Sequence, residues 1–285
     1  MAEILFAIGD IHGCKKELDV IHNKIKKNCS KKNKKPIIIY LGDYIDRGPK
    51  SKDVIQTIIE FTLPNVEKIC LLGNHEQMLL DVLNYKENSL YQWIANSGVE
   101  TLESYGGSLS EFVDFNMELS FEKKIYSKIH EFIPNEHRKF YESLELYYVW
   151  KNYIFVHAGI NPLLDIKKQD KETLIWTRDK KFFDPSMKYP KRIVHGHTPV
   201  SDVEFNLATL ITVISRLTRA FAAAGKTKSL DQIEAEFPYE RGPVAEVDEE
   251  GDPIYADAGL TPRYRALIDQ HVERLKNSDS ESGGG

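Results

Sequence analysis

Five short segments of the sequence combine glycine with side chains that can bind a metal ion or transfer a proton. Each follows an apolar run, a pattern typical of a buried strand that ends in a tight turn. In chain order they are Gly9-Asp10-Ile11-His12-Gly13, Gly42-Asp43-Tyr44-Ile45-Asp46-Arg47-Gly48, Gly73-Asn74-His75-Glu76, His157-Ala158-Gly159 and His195-Gly196-His197-Thr198. In open α/β sheets, ligands bind outside the carboxyl ends of the strands. The sequence therefore predicts one site built from five strand ends.

These segments supply a mixed set of oxygen and nitrogen donors for metal ions. Asp10 and His12 are two residues apart, so on an extended chain both side chains point the same way and can hold one cation. Asp43 offers an oxygen that could bridge two cations. The other candidate ligands are Asn74, His157 and His197. Such donors suit Mn²⁺, Fe or Zn²⁺ better than Ca²⁺. Two cations about 3.5–4 Å apart clamp attacking and leaving oxygens and supply hydroxide near neutral pH, which favours phosphoester hydrolysis.

Four further residues are candidates for direct roles in that chemistry. Arg47 and Arg178 could each hold a tetrahedral phosphate, because a guanidinium matches its oxygens bidentately, although an isolated Arg178 is more often a surface ion pair. His75 is placed to donate a proton to the departing alkoxide, and Asp46 could orient that imidazole. We interpret His195 as a buried structural histidine rather than a ligand.

The composition is that of an ordinary globular protein. The chain has 285 residues, a net charge of −5 and three cysteines with no paired spacing. The mild charge argues against a nucleic-acid partner. No apolar run approaches the ~18 residues that span a bilayer, and the N-terminus lacks a signal-peptide pattern. We expect a cytoplasmic protein with reduced thiols and no membrane partner.

Strand and helix patterns alternate along the first part of the chain, which predicts an α/β core. The predicted strands occupy 4–10, 36–41, 69–72 and a pair within 147–156, and a last strand with its turn covers 191–199; the first helix covers 14–28. Residues 26–35 are predicted to be a lysine-rich loop. Residues 77–146 read as mostly helical, and we expect them to cap the site.

The composition changes abruptly near residue 206. Residues 1–206 hold 25 Lys and 4 Ala, whereas 207–285 hold 3 Lys and 10 Ala. We predict one domain over 1–206, a foreign-looking and mainly helical tail over 207–277, and a disordered linker over 278–285. The apolar spacing predicts that the tail begins with a helix over 207–224, and the weak strand-like pattern at 253–260 is not expected to pair with the core.

The five segments resemble the full motif set of the PPP family of metallophosphatases, most nearly the bacterial and bacteriophage serine/threonine protein phosphatases of the lambda phage type. The resemblance covers about residues 3–206. It implies a calcineurin-like metallophosphoesterase domain: an α/β (α+β) fold with a β-sandwich flanked by helices, and a dinuclear, usually Mn²⁺-dependent site. The ligands implied by the motifs are Asp10, His12, Asp43, Asn74, His157 and His197. His75 matches the proton donor, Asp46 its partner, and Arg47 and Arg178 the phosphate-binding arginines.

Two departures from the family pattern bear on activity. Leu72 stands where many relatives carry an arginine, so one phosphate contact is expected to be absent. Family members also continue after the last histidine with a strand pair, whereas the helical pattern beginning at Leu207 predicts that these closing strands are missing.

Three hypotheses follow for function. The leading one is a metal-dependent protein serine/threonine phosphatase, in which hydroxide activated by two metals attacks phosphorus and the substrate is a phosphorylated protein or peptide. The second is a symmetrical diadenosine tetraphosphatase or another small phosphoester hydrolase. The third is an inactive chimera whose tail binds an unknown partner.

Overall fold

Three parallel strands form the first sheet of the protein. The computed structural model describes residues 3–32, 35–108, 120–179, 191–198, 204–206 and 210–212. Strands β1 (Glu3–Ile8), β2 (Lys35–Tyr40) and β3 (Glu67–Cys70) lie side by side in chain order. Helices α1 (Lys15–Lys32) and α2 (Ser51–Glu60) connect them. Ile37, Ile38 and Ile39 of β2 are all buried, as expected for a parallel strand that is covered on both faces.

The second sheet is mixed and has five strands in the order β4-β5-β6-β8-β7. The strands are β4 (Tyr147–Trp150), β5 (Tyr153–Val156), β6 (Arg192–His195), β7 (Glu204–Asn206) and β8 (Leu210–Thr212). The predicted pair around Lys151 and Asn152 is the antiparallel hairpin β4–β5. Strand β6 runs parallel to β5 on one side and to β8 on the other.

Strand β8 corrects two expectations from the sequence. A helix was predicted over 207–224 and the closing strands were expected to be missing, but Leu210–Thr212 pairs with β6 and, antiparallel, with β7. The physical reason is that β-branched residues dominate the run from Ile211 to Ile214, and such residues favour strands over helices. The remainder of the predicted tail, with the weak strand pattern at 253–260, lies outside the described residues, and the domain limits remain predictions.

The two sheets pack face to face. One apolar cluster lies between the sheets. It contains Ile37, Ile39 and Leu71 on the side of the first sheet and Phe155 and Val194 on the side of the second sheet. Helices cover the outer face of each sheet, so the predicted α/β sandwich flanked by helices is confirmed. The helix α8 (Lys171–Trp176) covers the second sheet, and a larger helical layer covers the first.

The larger helical layer follows β3 and confirms the predicted helical region over its described part. It is built from α3 (Asn74–Leu83), α4 (Ser89–Ala95), α5 (Gly98–Ser104), α6 (Ser120–Phe132) and α7 (Asn135–Glu142), and α1 and α2 pack into the same apolar cluster. One boundary was wrong: α1 continues to Lys32, where a loop from Lys26 was predicted, because lysine is a good helix former. Among the described residues, no helix has both the length and the apolar character that crossing a membrane requires.

Candidate active site

The turns that follow β1, β2, β3, β5 and β6 meet at one edge of the sandwich. The backbone amides of Ile11 and His12 donate to the Asp43 carbonyl at 2.8 and 2.9 Å, which joins the first two turns. The Gly196 amide donates to the His157 carbonyl at 2.8 Å, and the His197 amide donates to Asp10 Oδ1 at 3.1 Å. The first three strands and the second sheet therefore share one cluster of polar side chains.

Asp43 lies at the centre of this cluster. Its Oδ2 is 3.5 Å from His12 Nε2, and its Oδ1 is 3.3 Å from His157 Nε2. Two groups of potential ligands, each with its atoms within 4.8 Å of one another, both contain Asp43: one with His12 and His75, the other with His157 and His197. A single carboxylate thus faces two neighbouring donor groups.

Hydrogen bonds turn the histidines so that Nε2 faces the cluster. His12 Nδ1 donates to the Ile45 carbonyl and His157 Nδ1 to the Leu41 carbonyl, each at 2.8 Å. His157 Nε2 also lies 3.0 Å from Asn74 Oδ1. His197 Nε2 is buried and has no hydrogen-bond partner among the described residues. Carboxylate, amide and imidazole donors that converge in this way fit divalent metal ions.

Charge is concentrated in this buried cluster. Burial, and then the Asp43 carboxylate, raise the pKa of Asp10 to about 6. Burial lowers the pKa of His157, but the Asp43 carboxylate more than offsets it, so that this pKa rises to about 9. A cation bound between these groups would relieve the repulsion between the carboxylates and replace the proton on the imidazole.

The predicted proton donor and its partner are in direct contact. His75 Nδ1 donates to Asp46 Oδ2 at 2.7 Å, and both side chains are fully buried. Arg47 Nη2 donates to His75 Nε2 at 3.2 Å, so the predicted phosphate-binding arginine lies beside the predicted proton donor. Burial lowers the pKa of His75 and raises that of Asp46.

The other two predicted positions differ in burial. Arg178 is exposed. The pKa of His197 is lowered mainly by burial, next by the charge of His157 and then by that of Arg178, so the Arg178 guanidinium lies near the cluster. His195 is buried, and its pKa is lowered to about 4 by burial. It belongs to neither donor group, in keeping with its interpretation as a structural histidine.

Glu76 has a structural role that the sequence did not reveal. Its Oε1 accepts from the amides of Tyr44 and Ile45 at 2.8 and 3.2 Å, and its Oε2 from those of Asp43 and Gly73 at 2.9 and 3.2 Å. This buried carboxylate ties the turn after β2 to the start of α3. The only signal in the sequence was a glutamate three residues into a helix, a common capping position.

The site backbone is held in an uncommon conformation. His12, Asp43, Asp46, Arg47 and His197 all have positive φ angles, between 43° and 67°. Such residues cluster at functional sites because the surrounding structure must enforce them. Close packing also requires glycine at position 73, because a Cβ there would lie 2.3 Å from the Asp43 amide nitrogen.

With this geometry in place, sequence comparison decides the family. The profile described as "Calcineurin-like phosphoesterase" matches residues 5–218. The chain belongs to this family. The match continues past residue 206 and includes β8, in agreement with the paired closing strands.

Proteins with two different activities in their names are similar to this calcineurin-like phosphoesterase. The asymmetrical bis(5'-nucleosyl)-tetraphosphatase PrpE of Oceanobacillus iheyensis is 32% identical over 215 residues, covering 68% of this chain and 76% of the relative. The same enzyme of Bacillus thuringiensis is 27% identical, covering 70% of this chain and 80% of the relative. Serine/threonine-protein phosphatase 1 of Salmonella typhimurium is 33% identical, over 33% of this chain and 38% of the relative. The PPP resemblance is thus supported at the level of the wider family.

Proposed function

We propose that this calcineurin-like phosphoesterase binds two divalent metal ions and hydrolyses phosphoserine or phosphothreonine in proteins or peptides. The observation that carries the proposal is the buried His75–Asp46 pair beside the shared carboxylate Asp43. A serine or threonine alkoxide is a poor leaving group and gains from a proton donor at the leaving oxygen. A positioned imidazole next to a metal-binding carboxylate meets that need.

The proposed metal ligands are the six residues Asp10, His12, Asp43, Asn74, His157 and His197. When bound, the cations supply Lewis-acid stabilisation and hydroxide near neutral pH. We propose Mn²⁺, with Fe or Zn²⁺ as alternatives, because the donors mix imidazole and carboxylate.

The remaining groups act on the substrate itself. Arg47 and Arg178 hold the non-bridging phosphate oxygens, which requires Arg47 to move from His75 Nε2 to the phosphate. Once Arg47 has left it, His75 Nε2 takes up a proton from water, which gives an imidazolium that Asp46 holds through Nδ1. The imidazolium then donates the Nε2 proton to the leaving oxygen and returns to the neutral form. The inactive-chimera hypothesis loses its main support, because it depended on missing closing strands.

The second candidate function is hydrolysis of dinucleoside tetraphosphates. It is favoured by the PrpE relatives, which are similar over about two thirds of this chain. Their names specify asymmetrical cleavage, whereas the hypothesis drawn from the sequence was a symmetrical diadenosine tetraphosphatase. In this reaction the leaving group is a nucleotide phosphate, which departs without a proton. The role of His75 therefore separates the two candidates.

Initial rates on a phosphoserine peptide and on diadenosine tetraphosphate, with and without Mn²⁺, test the proposal. We expect the peptide to be the better substrate, and His75→Asn to lower its turnover on the order of 10²–10⁴-fold. Faster cleavage of diadenosine tetraphosphate, with little effect of His75→Asn, would favour the second candidate. No metal-dependent hydrolysis of either compound would refute both.

A further inference from the structure

Two side chains of the helical layer bind the carboxylate that orients the proposed proton donor. Thr101 Oγ1 of α5 donates to Asp46 Oδ1 at 2.6 Å. Trp93 Nε1 of α4 lies 3.1 Å from Oδ1 and 3.2 Å from Oδ2 of the same carboxylate. Together with His75, these residues are the side-chain donors to Asp46 within the described part of the chain. We propose that Trp93 and Thr101 are positioning residues that set the orientation of His75 through Asp46, an inference that rests on the proposed role of His75.

The Thr101 hydroxyl has one proton, and the geometry assigns it to the carboxylate. The Asp46 contact is 2.6 Å, whereas the contact to Ser51 Oγ is 2.9 Å. The Asp46 amide donates back to Thr101 Oγ1 at 2.8 Å. The hydroxyl therefore donates its proton to the Asp46 carboxylate and accepts from the amide of the same residue, and that amide also lies 3.1 Å from Ser51 Oγ. This closed arrangement fixes both the backbone and the carboxylate of Asp46.

Trp93 is locked by its own surroundings. The side chain is buried, and a Cβ on Gly98 would lie 2.5 Å from its ring, so α5 packs directly on the indole. The backbone between the two helices also contributes, because the Arg47 amide donates to the Ser97 carbonyl at 3.2 Å. A buried indole N–H needs an acceptor, and here the acceptor is a catalytically placed carboxylate.

The consequence is that α4 and α5 take part in the chemistry indirectly. Asp46 Oδ2 must face His75 Nδ1 for Nε2 to point at the leaving oxygen, and the two donors on the other side of the carboxylate prevent it from rotating away. If these donors are lost, the proton should be delivered less well, while phosphate and metal binding should be little changed.

The test is the dependence of turnover on the leaving group, in the metal-loaded full-length protein. We compare kcat for p-nitrophenyl phosphate, which needs no proton, with kcat for an alkyl phosphate, which does. Thr101→Val and Trp93→Phe should each lower kcat for the alkyl phosphate roughly 10-fold more than kcat for p-nitrophenyl phosphate, a part of the 10²–10⁴-fold that a general acid supplies. Thr101→Ser keeps the hydroxyl and should restore the wild-type ratio.

Tyr141→Phe is the matched control, because it also removes a buried hydroxyl from the helical layer, one that bonds Tyr105 and not Asp46. It should change both rates equally. Equal losses on the two substrates in both Thr101→Val and Trp93→Phe would overturn the positioning role. The two variants are independent, so a folding failure of one leaves the other as the test.

His75→Asn separates this inference from the proposed function. If His75→Asn selectively impairs the alkyl phosphate but Thr101→Val and Trp93→Phe do not, only the positioning inference fails. If His75→Asn itself shows no selectivity, the proton-donor role fails, and the positioning role fails with it.

Discussion

At the scale of single residues, the two arginines near the site are held differently. Arg47 is partly buried and bonds His75, whereas Arg178 is exposed. Because both are proposed to bind non-bridging phosphate oxygens, Arg47→Ala and Arg178→Ala should each weaken competitive inhibition by phosphate about 10-fold or more, the usual worth of a charge-assisted hydrogen bond. Arg192→Ala, which removes an exposed arginine bonded to Tyr153, is the control. An unchanged inhibition constant in Arg178→Ala would leave that residue without a role at the site.

Glu76 makes a second residue-scale prediction. Its carboxylate accepts four backbone amides, and glutamine would turn an amide donor toward two of them. Glu76→Gln should therefore lower the free energy of unfolding by about 3 kcal/mol or more. Urea denaturation measures this, with exposed Glu172→Gln expected within about 0.5 kcal/mol of wild type. Equal stabilities of the two variants would contradict the bracing role.

Residue types and spacing were enough to predict a cluster of potential metal ligands around Asp43, because each candidate segment follows a strand and contains a glycine. They were not enough for Glu76, whose partners at Asp43, Tyr44 and Ile45 are more than 30 residues away and are backbone groups. Trp93 and Thr101 were missed for the same reason. Their partner Asp46 lies on another element, and nothing in the local sequence of α4 or α5 indicates it.

At the scale of elements, helix α1 is joined to the first sheet by a buried histidine. His22 Nε2 lies 2.8 Å from the Tyr40 hydroxyl, and its ring lies 3.7 Å from that of Phe61. Burial lowers the pKa of His22 from 6.5 to about 4. The unfolded chain therefore binds a proton below pH 6.5 that the folded protein does not. The contribution of neutral His22 to the free energy of unfolding is fully present above pH 6.5 and is lost as the pH falls toward 4.

This linkage predicts a pH-dependent difference between wild type and His22→Gln. Glutamine can still bond the Tyr40 hydroxyl but does not titrate. The stability advantage of wild type should shrink by on the order of 2 kcal/mol between pH 7 and pH 4.5, measured by urea denaturation. Parallel pH profiles would contradict the prediction, and ring NMR shifts of His22 provide a direct check of its pKa.

Strand β8 is the element that the sequence pattern misassigned. The apolar spacing from Leu207 fits a helix, but the pairing of β8 between β6 and β7 outweighs local spacing. Ile211 lies opposite Val194 and Phe205 in a central strand.

Ile211→Pro should lower the free energy of unfolding by about 3 kcal/mol or more, since proline removes a ladder hydrogen bond. Lys171→Pro, at the tolerated first position of α8, is the control; equal melting temperatures for the two variants would contradict the pairing.

At the scale of the whole molecule, the two sheets and their helical layers serve to bring five strand ends together. The alternation of strands and helices predicted an α/β core, and the resemblance to the PPP family implied the two-sheet sandwich; the family match over 5–218 agrees with both. The strand order of the second sheet was not predictable from the sequence. Strands β7 and β8 both follow β6 in the chain, but β8, the later of the two, is the one that pairs with β6. Short strands paired over long distances carry little local signal.

Asp43 belongs to both groups of potential ligands and would help to hold two metal ions required for hydrolysis. Metal stoichiometry measured together with p-nitrophenyl phosphate turnover tests this role most directly. Wild type should hold two divalent ions per chain and lose turnover when a chelator removes them. Asp43→Asn should hold at most one ion and lose turnover, because the carboxylate that would serve both ions becomes a neutral amide, while exposed Asp53→Asn should behave as wild type. Two tightly held ions in Asp43→Asn, or full turnover in metal-free wild type, would contradict the account.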